Sequence, residues 1–243
     1  MKKAIKNVIF ALLLLTLSAS TGLLAYLHFF APDEMELSGE WTAELDMTQQ
    51  AAVTALDWLQ DMEAVSISLE DMSSYMQNLT IQVNLTLEET DNGGGTFHCN
   101  IIPESYEACR QAAYEAFAAA FQDLLAKRLR MAGYMGSTDR ETVEALVNET
   151  FGMSTVSYLM SYAPALLPSL EELQAGYEGS GTFEAAENIL TRRFDAGSYV
   201  DTKMEYYIRE GSSLILTEET GAASTGLFKE DYPIIYTLKQ SQN

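Results

Sequence analysis

What most constrains this chain is a series of short segments in which apolar and polar residues alternate, with turn residues between them. In 41–47, Trp41, Ala43, Leu45 and Met47 alternate with Thr42, Glu44 and Asp46, the period of a strand with one wet face. Residues 79–87 repeat the pattern in its cleanest form. The glycines of the following turn, Gly93, Gly94 and Gly95, suit a hairpin, and 96–102 returns with Phe97, Cys99 and Ile101 on its inner face. Strand signals resume at 182–186, 189–194, 199–208, 214–217 and 234–238. Within 199–208, Val200, Met204, Tyr206 and Ile208 make an apolar row that opposes Asp201, Lys203, Glu205 and Tyr207. About eight sequential antiparallel strands are the number that closes a small up-and-down barrel and removes its edges.

Helical signals interrupt this series. Residues 48–62 carry Val53, Leu56 and Leu59 about a turn apart, whereas 70–77 is less regular. Pro103 opens a long helix, with Glu104 and Glu107 early, Lys127, Arg128 and Arg130 late, and Gly133 placed to end it. A second helix begins at Thr138, Asp139, Arg140 and Glu141, a capping-box pattern. Short helical pieces follow around Tyr158 and 170–173. The expected class is therefore α+β, with a helical insertion over about 103–176 between strands three and four.

The other dominant feature is the start. Residues 8–31 contain no charged side chain and follow Lys2, Lys3 and Lys6. About 20 apolar residues cross a bilayer as a helix, and flanking lysines stay on the cytoplasmic side. The expected organisation is a signal anchor over 1–32 that holds a domain, 33–243, outside the cell membrane. The competing expectation is a secreted protein, cleaved near Ser20 after a signal peptide.

Charge narrows the partners. Beyond the leading lysines, 11 basic side chains stand against 35 acidic ones, a net −24. Such a surface repels nucleic acid. The expected partners are the bilayer, through 8–31, and a small apolar ligand or another envelope component.

The chain carries no established catalytic motif. Cys99 and Cys109, expected outside the membrane, either bridge or remain two separate buried thiols. His98 and Cys99 would point to opposite faces of one strand, which argues against a shared metal. There is no zinc-helix motif, no phosphate-binding loop and no dinucleotide fingerprint. No cofactor or metal is expected, and acidic pairs such as Glu88 and Glu89 are too numerous for a catalytic pair to be chosen.

The opening Leu37, Ser38, Gly39, Glu40 and Trp41, on a first strand followed by a meander, resembles the Gly-x-Trp start of lipocalin-like barrels, including membrane-anchored ones of Gram-positive bacteria. The resemblance implies structural roles for Gly39 and Trp41, with the tryptophan packed across the closed end of the barrel. In that family an arginine of the last strand covers the tryptophan; here the final strand offers only Lys239. It also implies a binding or interaction domain. A cell-envelope hydrolase built from scattered carboxylates is the alternative.

Overall fold

A computed structural model describes residues 37–61, 67–90, 93–195, 202–218 and 232–239. The chain divides into two compact units, 1–37 and 38–243. The anchor expected over 1–32 lies outside the described residues, as does the candidate cleavage position at Ser20. Among the described residues no helix is long and apolar enough to cross a membrane.

The second unit is built on a closed antiparallel barrel in which each strand pairs with its neighbours in sequence and the last pairs with the first. Its strands are β1 (Gly39–Asp46), β2 (Thr80–Thr90), β3 (Gly94–Ile101), β4 (Gly179–Ala186), β5 (Ile189–Phe194), β6 (Thr202–Glu210), β7 (Ser213–Glu218) and β8 (Ile234–Leu238). Closure comes from Trp41, Thr42 and Ala43 of β1 registering with Leu238, Thr237 and Tyr236 of β8.

The connections divide the barrel into two dissimilar ends. Three tight hairpins, β2 to β3, β4 to β5 and β6 to β7, lie at one end. Asn188, at φ 66°, and Gly211, at φ 55°, take the left-handed turn conformation there. The longer connections among the described residues leave from the other end. Between β1 and β2 these are α1 (Thr48–Asp61) and α2 (Leu69–Tyr75); between β3 and β4 they are α3 (Pro103–Met131), α4 (Arg140–Phe151), α5 (Thr155–Tyr162) and α6 (Leu170–Tyr177).

Local chemistry explains the helix boundaries. Pro103 occupies the first turn of α3, where its missing N–H costs nothing, and Arg128 and Arg130 complement the C-terminal dipole. The cap of α4 is Asp139, not Thr138: its carboxylate accepts from the Thr142 N–H at 2.8 Å. Helix α2 falls in the stretch whose period was irregular. A capping box formed by Ser68 and Asp71 starts it, and Met72 is its buried residue.

Inside the barrel the alternation is obeyed by Trp41, Ala43 and Leu45, by Ile81, Val83, Leu85 and Leu87, and by Phe97, Cys99 and Ile101, all buried. Strand β6 does the reverse of what its alternation suggests. Its apolar residues Met204, Tyr206 and Ile208 are exposed, Ile208 at 50%, while Glu205 is fully buried. On the outer wall Ile208 lies beside Ile215 and Ile215 beside Ile235, one apolar row across three strands. The reason for the reversal is what Glu205 meets inside.

Candidate functional site

Arg192 of β5 and Glu205 of β6 meet in the interior, and both are buried. The Arg192 Nε and Nη2 donate to one Glu205 oxygen, Oε2, at 3.0 and 2.6 Å. The other oxygen, Oε1, accepts from the Tyr232 hydroxyl at 2.6 Å and lies 3.4 Å from the Lys203 ammonium. Three strand segments thus converge on one carboxylate: β5, β6 and the chain entering β8. A buried ion is tolerated only when its lone pairs and protons are satisfied in this way.

The walls of the cluster are aromatic. The Arg192 guanidinium lies 5.6 Å from the centre of the Phe97 ring and 5.8 Å from that of Phe194. The Lys203 ammonium stands 5.1 Å from the Tyr232 ring. Such cation–ring contacts gain strength as water is removed.

The electrostatics follow from burial and pairing. Burial pushes the Glu205 carboxyl upward, but Arg192, then Lys203 and the Tyr232 hydroxyl, outweigh it and hold the group below the ordinary carboxylate value. Burial pushes Lys203 down. The Tyr232 and Tyr236 hydroxyls are pushed well up, chiefly by burial. Glu205 is therefore held ionised and its neighbouring phenols neutral.

A second interior cation lies nearer the hairpin end. Arg209 of β6 stacks on Trp41, its guanidinium carbon 4.7 Å from the ring centre. Its Nε and Nη1 are buried and reach no hydrogen-bond partner among the described residues, and neither does the buried Oε1 of Glu218 on β7. Glu218 registers opposite Glu205. Lys203, Glu205 and Arg209 thus lie along the inward side of β6, with Arg192 and Glu218 on the strands to either side of it.

Trp41 is completely buried at the hairpin end. Gly39 has φ +148°, and a Cβ there would come within 2.5 Å of the Leu238 side chain, so no larger residue fits without displacing it. The arginine partner differs: it comes from β6, while Lys239, just past β8, lies 3.9 Å from Glu40 on the outside. Alternation alone does not single out Arg192 and Glu205 either. Their signal is a charged residue in an otherwise apolar alternation, Leu190, Arg192 and Phe194, which calls for an acid on a neighbouring strand.

Cys99 and Cys109 are two separate buried thiols, the second of the two alternatives. The Cys99 thiol donates to the Gly179 carbonyl at 3.3 Å. Burial pushes Cys99 up and Cys109 up to about 11. His98 is exposed, on the wall opposite Cys99. Among the described residues no group of three or more His, Cys, Asp or Glu side chains could hold a metal ion.

Comparison of the chain with protein-family models, with curated proteins and with solved structures returns no match.

Proposed function

We propose that this protein is a membrane-tethered binding domain. In this reading residues 8–31 anchor it with the acidic domain outside, and the barrel takes up a small, largely apolar molecule that carries one anionic end. The observation that carries the reading is Arg209: a cation on the barrel interior, stacked on Trp41, with two buried donors that no acceptor among the described residues satisfies. A buried donor without a partner costs on the order of 1–3 kcal/mol. A ligand carboxylate, sulfonate or phosphate would remove that cost. The apolar body would lie along the Leu, Ile, Val and Phe residues of the inner wall.

The hydrolase alternative draws less from the same interior. It needs a carboxyl group kept protonated near neutral pH to act as acid. Glu205 is held in the opposite direction, with both oxygens engaged.

The test compares two fluorescent naphthalene probes, anionic anilinonaphthalene sulfonate and neutral phenylnaphthylamine, on the native protein and on Arg209→Gln. The expected result is one saturable site per chain, with the anionic probe about tenfold or more weaker on the variant and the neutral probe unchanged. Equal affinity of the anionic probe for both proteins would overturn the assignment.

A further inference from the structure

The far end of the hairpin formed by α3 and α4 carries basic and apolar side chains in an acidic protein. From Leu124 to Thr138 there is no acidic residue, although the chain has 35, and Lys127, Arg128 and Arg130 all lie within this stretch. At the same tip Met131 is 88% exposed, Met135 is 97% exposed and Tyr134 is exposed beside them. The stem below is tied by its own small core, in which Ala126 packs with Val143 and Val147 and with the partly buried Leu125 and Leu129. Arg140 is bound to Asp123 at 2.9 Å, which fixes α4 against α3. The tip is thus a held convex point that presents two methionines and a tyrosine above a collar of three cations.

We propose that this tip docks on an anionic phospholipid surface. Met131 and Met135 would enter the boundary between headgroups and acyl chains, and Tyr134, with an apolar ring and a polar hydroxyl, suits the same depth. Lys127, Arg128 and Arg130 would lie at headgroup level. Charge complementarity selects this occupant. A domain of net −24 is repelled by an anionic bilayer over most of its surface, so a tip whose residues 124–138 carry three cations and no acid sets both attachment and orientation. A convex tip with unbranched, flexible methionines also fits a fluid interface better than a preformed groove does. The inference stands independently of the ligand assigned to the barrel and of the anchor expected at 8–31.

The test uses the full chain carrying Met135→Cys labelled with a polarity-sensitive fluorophore; the native Cys99 and Cys109 are buried and escape the label. The protein is reconstituted into vesicles of phosphatidylcholine alone or mixed with phosphatidylglycerol, some with a quencher on the acyl chain. The expected result is blue-shifted, quenched emission only in the phosphatidylglycerol vesicles. Each basic side chain near such a surface contributes roughly fivefold, so replacing Lys127, Arg128 and Arg130 by Gln should lower the ratio of inserted to free tip about a hundredfold. High salt should also lower the ratio for the tip with its native charges, a control that needs no refolded variant. Equal insertion in neutral and anionic vesicles would overturn the proposal. So would a shift that needs no vesicles and grows with protein concentration, which would mark self-association.

Discussion

The guanidinium of Arg209 lies 4.7 Å from the centre of the Trp41 ring, so the residue that ends the β6 run of inward charges covers the residue that begins the barrel. Both sit at the end where the tight hairpins gather. Replacing Trp41 by Ala removes a fully buried indole and should cost about 3–5 kcal/mol of unfolding free energy. Replacing Arg209 by Met keeps the covering chain and should cost no more than about 2 kcal/mol, the scale of a desolvated cation–ring contact. Urea denaturation of the two variants checks the order.

Arg192 and Glu205 should behave as a pair. Glu205→Gln leaves a buried guanidinium without its counterion and is expected to cost about 3–5 kcal/mol. The joint change Arg192→Met with Glu205→Leu removes both charges and should cost clearly less than the single change. A double-mutant cycle in urea reads the difference.

The same carboxylate adds an acid limit. Because Glu205 has a lower pKa folded than unfolded, the folded state binds fewer protons. Its contribution is therefore complete above about 4.5, the ordinary value, and is lost as pH falls through the folded pKa. Urea midpoints measured from pH 7 down to pH 3 should fall more steeply for the native protein than for the doubly substituted one.

The thiols give a simple count. At pH 8 neither Cys99 nor Cys109 should react with an aqueous aromatic disulfide reagent, since burial raises both. Unfolding in urea without reductant should expose two thiols per chain. A count of zero after unfolding would mean that the two are bridged.

The outer wall of β6 predicts tolerance where its alternation suggests a core. Ile208→Lys should change stability by less than about 0.5 kcal/mol, because the side chain is half exposed. Leu216→Ala, at a buried inward position, should cost about 2–5 kcal/mol.

That contrast marks how far the chain could be read without its structure. Alternation and turn residues place all eight strands, and proline, glycine and the dipole charges place α3, because those signals are local. The face of β6 is not local: Lys203, Glu205 and Tyr207 look like a wet row until Arg192 on β5 is known to stand across from Glu205. Gly39 and Trp41 are legible from their motif, but their partner is not. The last strand holds no arginine, as its sequence shows, and the one over Trp41 comes from β6, since closing the barrel brings β6 side chains toward β1 across the interior. Helix α2 was hidden for a different reason, being seven residues long and too short to show a period, although Ser68 and Asp71 cap it.

The central claim, that Arg209 beside Trp41 receives the anionic end of an apolar ligand, is tested most directly by quenching of Trp41 itself. In a Trp58→Phe background Trp41 is the only tryptophan left, and a medium-chain carboxylate brominated next to its carboxyl group carries the quencher to it. The account predicts saturable quenching at one ligand per chain, lost with Arg209→Gln and absent with the corresponding brominated alcohol. Unquenched Trp41 emission at saturating ligand, or equal quenching with and without the Arg209 guanidinium, would contradict it.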